Sequence, residues 1–323
     1  ITQGPKVEEF EDALAECCGA KYAVAVNSGT SALHIACLAA EVKEGDEVIT
    51  SPITFVASAN CAVYCGAKPV FADIDLKTYN VAVKEIWNKI NTKTKAVIPV
   101  HFAGQSCDME SIRKVIMNKE KEFGNKIFII EDASHALGSF YKGKYVGSCA
   151  FSDMTVMSFH PVKHITTGEG GAVLTNDEIL YKKLKRLRSH GITNTPGEFV
   201  YKDQAFGNSS FVDLQSATED PQLVNPWYYE QVDLGYNYRI TDIQCALGTS
   251  QLKKLHDFCK RRSEIANVYN GAFSGIESIQ IPFESEDCSS NFHLYVLLIN
   301  FNQIGMERAQ LMIELKRCGI QTQ

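Results

Sequence analysis

The sequence has 323 residues, 45% of them hydrophobic, so it can bury a large core, and its length indicates a large domain followed by a smaller one. A formal net charge of −6 and a pI near 5.8 argue against nucleic acid or an anionic membrane as a partner. No apolar run approaches membrane-spanning length, no signal peptide is recognisable, and 11 cysteines without zinc-binding spacing predict reduced thiols in a cytoplasmic protein with no metal site.

Hydrophobic periodicity predicts helices and strands in alternation along the chain. Helices are expected at 7–18, 31–40, 57–65, 83–90, 108–121, 178–188 and 243–258. Strands are expected at 23–26, 47–50, 69–71, 96–100, 127–132, 154–157 and 172–175. This alternation predicts an α/β fold with a mostly parallel central sheet. The polar stretch 192–226 is expected to be a long loop with a functional or interface role.

The first candidate site follows the strand at 23–26, in the run YAVAVNSGTSALH (22–34). Small polar residues precede an apolar helix there, so backbone N–H groups at the helix start can bind an anion such as phosphate. Ser28, Gly29, Thr30 and Ser31 are the candidates. Ordinary helix capping is the alternative, and no Walker sequence or dinucleotide-binding glycine motif is present.

The second candidate is the run IFIIEDASHA (127–136), in which four apolar residues lead to Asp132. A carboxylate at the carboxyl end of a buried strand lies where open α/β sheets bind ligands, and it can pair with a cationic ring nitrogen. Capping of a following helix is an equally good interpretation of Asp132 alone. His135, taken alone, is more simply a hydrogen-bonded structural histidine.

The third candidate is Lys163, in the run SFHPVKHITTGEGG (158–171) between an apolar strand and a glycine-rich turn. A lysine held in a partly desolvated cleft has a lowered ammonium pKa, and its neutral amine can form a Schiff base. A solvated loop lysine is the alternative. Together the three runs supply what pyridoxal phosphate requires, namely a phosphate site, a carboxylate for the ring nitrogen and an amine for the aldehyde.

With these motifs the chain resembles the DegT/StrS-type sugar aminotransferases, which are fold type I pyridoxal-phosphate enzymes acting on nucleotide-linked keto-sugars. The resemblance covers nearly the whole chain and is carried by the runs NSGTSAL (27–33), EDASHA (131–136), SFHPVK (158–163), GEGG (168–171), RSHG (188–191) and GYNYRITDIQ (235–244). It implies a large pyridoxal-phosphate domain at 1–240 and a smaller α/β domain at 241–323. It also implies that the chain lacks a helix and strand before residue 1 and the rest of the small domain after residue 323.

The resemblance assigns roles to individual residues. Lys163 would form the Schiff base and move protons, Asp132 would keep the ring nitrogen protonated, and His135 would lie near the 3-oxygen of the ring. Phe55 would stack on the ring face, although a core aromatic is the alternative. Thr30, Ser31 and Ser158 would bind the phosphate. His164, which directly follows the lysine, stands where relatives tend to have proline, and the sequence gives no reason for it.

Further implied residues concern assembly and substrate. Asn237 would reach the phosphate in a neighbouring subunit, which implies a homodimer with shared active sites. His190 and Arg239 would contact substrate or support the residues that do. Trp227 and Tyr228 would stack on sugar or uracil or else lie at a dimer interface.

The substrate expectation rests on the resemblance alone. The runs NPWYYEQ (225–231), RSHGI (188–192) and SSNFHLY (289–295) look like the branch of the family that serves pseudaminic acid biosynthesis. That branch aminates C4 of a UDP-linked 2-acetamido-2,6-dideoxy-4-keto-hexose with glutamate as donor. A dTDP-linked 3- or 4-keto-hexose as substrate, or a binding protein that keeps the fold without turnover, are the alternatives.

Overall fold

The computed structural model describes residues 3–206, 225 and 227–323, and it confirms the α/β class predicted from the sequence. In that part of the chain no helix has the length and apolar character needed to cross a membrane. All eleven cysteines lie within the described residues as free thiols, and six of them, including Cys37, Cys61 and Cys245, are buried.

The helices and strands follow the predicted alternation through the first two thirds of the chain. The helices are α1 (Pro5–Cys18), α2 (Gly29–Ala39), α3 (Ala57–Tyr64), α4 (Val83–Lys89), α5 (Met109–Phe123), α6 (Glu178–Arg188), α7 (Lys202–Phe206), α8 (Asp242–Leu252), α9 (Leu255–Phe273), α10 (Phe301–Ile304) and α11 (Arg308–Arg317). The strands are β1 (Tyr22–Val26), β2 (Glu47–Thr50), β3 (Lys68–Phe71), β4 (Thr94–Ile98), β5 (Phe128–Asp132), β6 (Phe140–Tyr141), β7 (Lys144–Tyr145), β8 (Met154–Ser158), β9 (Gly171–Thr175), β10 (Ile192–Thr193), β11 (Glu230–Gln231), β12 (Ile279–Gln280), β13 (Cys288–Ser289) and β14 (Leu298–Ile299).

Seven strands form the central sheet in the order β1-β9-β8-β5-β4-β2-β3. Neighbours from β8 to β3 pair in parallel, and β9 runs antiparallel between β8 and β1. The inner strands are continuous apolar runs because helices cover both faces of the sheet. The carboxyl ends of β1, β5 and β8 therefore lie along the same edge.

Helices pack on both faces through separate apolar clusters. On one face Ala36 of α2, Cys61 of α3 and Leu184 of α6 are buried with strand side chains. On the other face Phe10 of α1 is buried with Cys245 of α8. Since α8 packs against α1, contacts cross the predicted domain boundary at 240/241, which stays a prediction.

The strand β1 lies at the edge of the sheet, and two charged side chains bond to its outer backbone. Glu11 Oε1 accepts a hydrogen bond from the Ala25 N–H at 2.7 Å, and Arg188 Nη1 donates to the Ala25 carbonyl at 2.9 Å. Glu11 and Arg188 are also paired with each other and nearly buried. Burial raises the pKa of Glu11, and the guanidinium opposes that rise only in part.

The structure departs from the predicted elements in two places. The single helix expected at 243–258 is two helices, because α8 ends before Lys253–Lys254 and α9 starts afresh at Leu255. The described part of the expected loop at 192–226 contains β10, a short 3-10 turn and α7; the rest lies outside the described residues.

The C-terminal segment returns to the central sheet region. The strand β13 pairs with β6, which follows β5, and forms a three-stranded sheet with β6 and β7. Residues 290–295 are thereby brought against the loop that leaves Asp132, an approach that the sequence patterns do not predict.

Candidate active site

The three runs singled out in the sequence meet at one edge of the central sheet. Gly171, the first residue of β9, lies opposite both Val26 at the end of β1 and Ser158 at the end of β8. A Cβ atom on Gly171 would lie 2.5 Å from the Ser28 carbonyl oxygen, so only glycine allows the start of α2 to approach this closely. The anion site and the lysine loop are therefore adjacent.

The helix start that was predicted to bind an anion is well formed. Ser28 caps α2 by accepting a hydrogen bond from the Ser31 N–H at 3.1 Å, and the Ser31 hydroxyl donates to the side-chain oxygen of Asn27 at 2.6 Å. The first N–H groups of a helix have no partner within the helix. Gly29 and Thr30, which are half-buried, supply two of them. This geometry suits a phosphate group.

Lys163 lies half-buried in a loop that returns on itself. The Phe159 N–H donates to the Gly170 carbonyl at 2.9 Å, and the Thr167 N–H donates to the Phe159 carbonyl at 3.1 Å. Burial lowers the pKa of the Lys163 ammonium, and the nearby Asp132 carboxylate opposes part of that effect. The solvated-loop interpretation of this lysine therefore does not fit its surroundings.

Asp132 is almost fully buried at the carboxyl end of β5, and both of its oxygens are held by serines. Ser58 Oγ donates to Oδ2 at 2.6 Å, while the N–H and the hydroxyl of Ser134 donate to Oδ1 at 3.2 and 2.7 Å. The Thr54 hydroxyl lies 2.7 Å from that of Ser58 and extends the chain of bonds. The carboxylate closes a turn rather than capping a helix, so the capping interpretation is wrong.

Ser58 is a site residue that sequence reasoning missed. It follows Thr54 by four residues and lies on α3, 74 residues before the carboxylate that it bonds. A serine among small residues in a predicted helix carries no signal for such a contact.

His135 lies beside both charged groups of the site. Burial lowers the pKa of its ring to about 4; the Lys163 cation acts in the same direction, and the Asp132 carboxylate opposes it. The ring centroid is 4.3 Å from that of His293 and 6.1 Å from that of Phe102. Burial thus favours the neutral form of the His135 ring. His293 is a second site residue that sequence reasoning missed.

The other expected contacts are spread more widely. Phe55 is 72% exposed just before α3, and Asn237 is exposed on a segment bonded to Asn27 through the neighbouring Tyr238. Arg239 lines a separate cleft of about 220 Å³ along the outer side of β1, which also includes Arg188.

His190, Trp227 and Tyr228 lie in the region of β10 and β11. His190 has a positive φ of 63°, and Trp227 is 74% exposed. The Tyr228 hydroxyl donates to Glu230 at 2.7 Å, so part of its polar capacity is used locally. Among the described residues, no hydrogen bond joins these three to the lysine or to the carboxylate of the site.

The donor set fits pyridoxal phosphate as a whole. A half-buried lysine with a lowered pKa, a buried carboxylate fixed by serines, and a helix start lie at the ends of β8, β5 and β1. These groups match an aldehyde, a protonated ring nitrogen and a phosphate, respectively. In the described part of the chain no cluster of metal-ligating side chains is present.

Comparison with known proteins gives a consistent result. The sequence model of the DegT/DnrJ/EryC1/StrS aminotransferase family matches residues 1–323. The chain is 41% identical to the spore coat polysaccharide biosynthesis protein SpsC of Bacillus subtilis over 316 residues, which are 98% of this chain and 74% of that protein.

Two solved structures are also similar. The putative sugar aminotransferase Spr1654 of Streptococcus pneumoniae, in its pyridoxal-phosphate form, is 31% identical with a TM-score of 0.82, covering 99% of this chain and 77% of that one. Helicobacter pylori PseC, described as an aminotransferase involved in pseudaminic acid biosynthesis, is 34% identical with a TM-score of 0.80, covering 98% and 76%.

Proposed function

The chain belongs to the DegT/DnrJ/EryC1/StrS family of pyridoxal-phosphate-dependent sugar aminotransferases, and on that basis we propose that it transfers the amino group of glutamate to a nucleotide-linked keto-sugar. The proposed acceptor is a UDP-linked 2-acetamido-2,6-dideoxy-4-keto-hexose, aminated at C4 on the route to pseudaminic acid. Likeness to Helicobacter pylori PseC supports this acceptor. The cytoplasm stays the predicted compartment.

The observation that carries the catalytic part of the proposal is the placement of Lys163 beside Asp132. When bound, pyridoxal phosphate supplies a carbonyl carbon that receives the amino group and a ring that withdraws electrons. Because burial lowers the pKa of Lys163, its Nζ gives up a proton more readily than the amine of a solvated lysine, which suits a group that must also accept a proton from the substrate. Lys163 is thus the proposed attachment point and proton carrier.

Asp132 is the proposed partner of the ring nitrogen. Its carboxylate is held in one orientation by Ser58 and Ser134, so little reorganisation is needed when a cationic nitrogen approaches. The start of α2, with Thr30 and Ser31, and the end of β8 at Ser158 would hold the phosphate. His135 would donate to the ring oxygen, and Phe55 would cover the ring face.

A trapping experiment tests the attachment. Reduction with borohydride should fix the cofactor covalently to Lys163, and peptide mass spectrometry should find the adduct there. The Lys163→Ala variant should lose the adduct and essentially all turnover. Lys182→Ala, on the exposed surface of α6, is the matched control and should retain both. Wild-type protein without an adduct on Lys163 would overturn the assignment.

A substrate panel tests the acceptor. UDP-, dTDP- and GDP-linked keto-sugars, each supplied with glutamate, should be compared by the mass of the amino-sugar product. We expect the UDP-linked 4-keto sugar to give the largest kcat/KM. A preference for a dTDP-linked 3- or 4-keto-hexose would replace the proposed acceptor. If the absorbance spectrum of the protein does not change when glutamate is added and no sugar gives a product, a binding protein would be favoured.

We also propose a homodimer with shared sites, in which Asn237 of one subunit reaches the phosphate bound by the other. The exposed position of Asn237 supports this. Mixing an inactive Lys163→Ala chain with an inactive Asn237→Ala chain should restore some activity, because one site of the mixed dimer then has both residues intact. No rescue in mixed dimers that are shown to form would contradict the shared site.

A further inference from the structure

Behind the lysine and the carboxylate lies a group of three imidazole rings, His135, His164 and His293, which we call the histidine stack. The ring centroids of His135 and His293 are 4.3 Å apart with an interplanar angle of 35°. Those of His164 and His293 are 4.9 Å apart with an angle of 50°. His293 is therefore the central ring, in contact with one residue on each side.

His293 comes from the C-terminal third of the chain and is held firmly against the loop after β5. Asn291 Nδ2 donates to the Leu137 carbonyl at 2.8 Å, and the Asn291 N–H donates to Ser139 Oγ at 3.1 Å. The His293 N–H donates to Asn291 Oδ1 at 3.1 Å. A Cβ atom on Gly104 would lie 2.1 Å from that same oxygen, which indicates how closely this segment is seated.

Two buried ring nitrogens of the histidine stack lack hydrogen-bond partners in the part of the chain that the structure describes. His293 Nδ1 and His164 Nε2 are buried, and neither has a hydrogen-bond partner among the described residues. Burial is also the largest contribution that lowers the pKa of these rings, to about 3 for His164 and about 2 for His293. Burial thus favours the neutral form of all three rings, and His135 is covered by the ring of His293, with His164 on the other side of that ring.

Three charged groups face the stack. The Arg262 Nη1 on α9 donates to the carbonyls of Phe292 and His293 at 3.2 and 3.3 Å, so this cation is fixed close to His293 and His164. Lys163 adds a second cation, while Asp132 is the carboxylate that acts on His135. With two cations against one carboxylate, protonation of any ring in the stack is opposed.

The tautomer of His135 follows from its backbone contact. The Ala103 N–H lies 3.4 Å from His135 Nδ1. A backbone N–H can only donate, so Nδ1 must carry the lone pair, and the proton of the neutral ring is on Nε2. His135 thus has a single N–H donor, at Nε2.

From these contacts we propose that His293 and His164 are positioning residues that keep His135 neutral and protonated at Nε2, so that it offers one fixed hydrogen-bond donor to the ring oxygen of the cofactor. The hydrogen bond to the cofactor rests on the proposed function, whereas the protonation state of His135 does not. This role also accounts for His164, whose presence directly after the lysine has no explanation in the sequence.

Nuclear magnetic resonance of the cofactor-free protein tests the state of His135 directly. The full chain would be labelled with ¹⁵N at its histidines, and His135→Gln would identify the His135 signals. We expect Nδ1 of His135 to show the shift of an unprotonated nitrogen and Nε2 that of a protonated one. The ring should stay neutral as the pH is lowered to about 5.

Matched variants test whether a ring at position 293 holds the state of His135 by keeping water away from it. In His293→Ala, water can reach His135, so its pKa should rise by about one to two units toward the ordinary histidine value. His293→Phe keeps an aromatic ring without polar atoms and should leave the pKa and tautomer of His135 unchanged. His164→Ala should act like His293→Ala, and His256→Ala, exposed on α9, should change nothing.

The outcomes decide the proposal. A wild-type His135 that titrates near pH 6.5, or that carries its proton on Nδ1, would overturn it. So would His293→Ala and His164→Ala proteins, folded by circular dichroism, in which His135 behaves as in the wild type. If His293→Ala does not fold, the wild-type tautomer and the His293→Phe titration still decide. These readouts need no bound cofactor, so they stand or fall separately from borohydride trapping at Lys163.

Discussion

Two carboxylates follow one another in β5 and face opposite sides of the sheet, yet their surroundings differ completely. Glu131 is buried and bonded to His101 Nε2 at 2.7 Å, to Thr155 Oγ1 at 3.0 Å and to the Ser152 hydroxyl. Burial raises its pKa, but His101 and the two hydroxyls outweigh burial, and the net effect is a lowered pKa. Among the described residues, these three side chains already bond to both oxygens of the Glu131 carboxylate.

In the part of the chain that the structure describes, the Asp132 carboxylate accepts hydrogen bonds from serines alone, and it lies near a lysine whose pKa is lowered by burial. Its charge is fixed in orientation but is not neutralised by a bonded cation. The comparison shows that burial and hydrogen bonding alone do not identify a functional carboxylate. What distinguishes Asp132 is the nearby Lys163, which is able to bind a cofactor, whereas the side chains around Glu131 are hydrogen-bonded to its carboxylate.

The largest expected difference between the two carboxylates is kinetic. Asp132→Asn should lower kcat by about 10²-fold or more, because the ring nitrogen loses its charge partner, while cofactor retention should change little since the phosphate contacts remain. Stopped-flow turnover with glutamate and the cofactor content of the purified protein are the two measurements. Glu131→Gln is the matched control. Unchanged turnover in Asp132→Asn would refute the ring-nitrogen role.

The next difference is in stability. Glu131→Ala should lower the free energy of unfolding by about 3–5 kcal/mol, because His101, Thr155 and Ser152 lose a buried acceptor together. Urea unfolding followed by circular dichroism measures this. Glu131→Gln, which keeps an acceptor oxygen, should lose less. A Glu131→Ala protein as stable as the wild type would mean that the network contributes little.

The smallest difference is in the pH dependence of stability. The histidine stack beside Asp132 and the Glu131 network should begin to lose their contributions to stability at different pH values. The histidine stack has lowered pKa values, so its contribution to stability is complete above about pH 6.5 and is lost as the pH falls through the folded-state values, which are about 4 for His135, about 3 for His164 and about 2 for His293. Glu131 also has a lowered pKa, but its contribution is present above about pH 4.3 and is lost only below that.

Unfolding free energies measured between pH 7 and about pH 3 can therefore separate the histidine contribution, which begins to fall near pH 6.5, from that of Glu131, which begins to fall near pH 4.3. His293→Phe should flatten the decline between pH 6.5 and pH 4.5, whereas Glu131→Ala should lower stability there without changing its slope. The same slope in the wild type and in His293→Phe would show that the stack does not titrate on unfolding.

The sequence predicts the part of this site that depends on short-range pattern. Apolar runs mark the buried strands, so the placement of Asp132 and Lys163 at strand ends follows from a few neighbouring residues. The same applies to the helix start at Ser28, where a capping residue precedes an apolar helix. These features need no knowledge of distant contacts.

What the sequence does not predict depends on distant residues meeting. Ser58 bonds a carboxylate 74 residues away, and His293 reaches the site only because β13 pairs with β6. No local pattern encodes either contact. The break at Lys253–Lys254 is missed for a related reason, because charged residues fit helical periodicity equally well on both sides of a bend.

The pair Glu11–Arg188 at the edge strand has a consequence beyond local bonding. An exposed strand edge is a template on which another chain can add by β-augmentation, and such addition begins many aggregation pathways. At Ala25 the carboxylate and the guanidinium occupy the donor and acceptor that an incoming strand would need. Two side chains thus act in place of an eighth strand, and they make this edge of the sheet a poor seed for polymerisation.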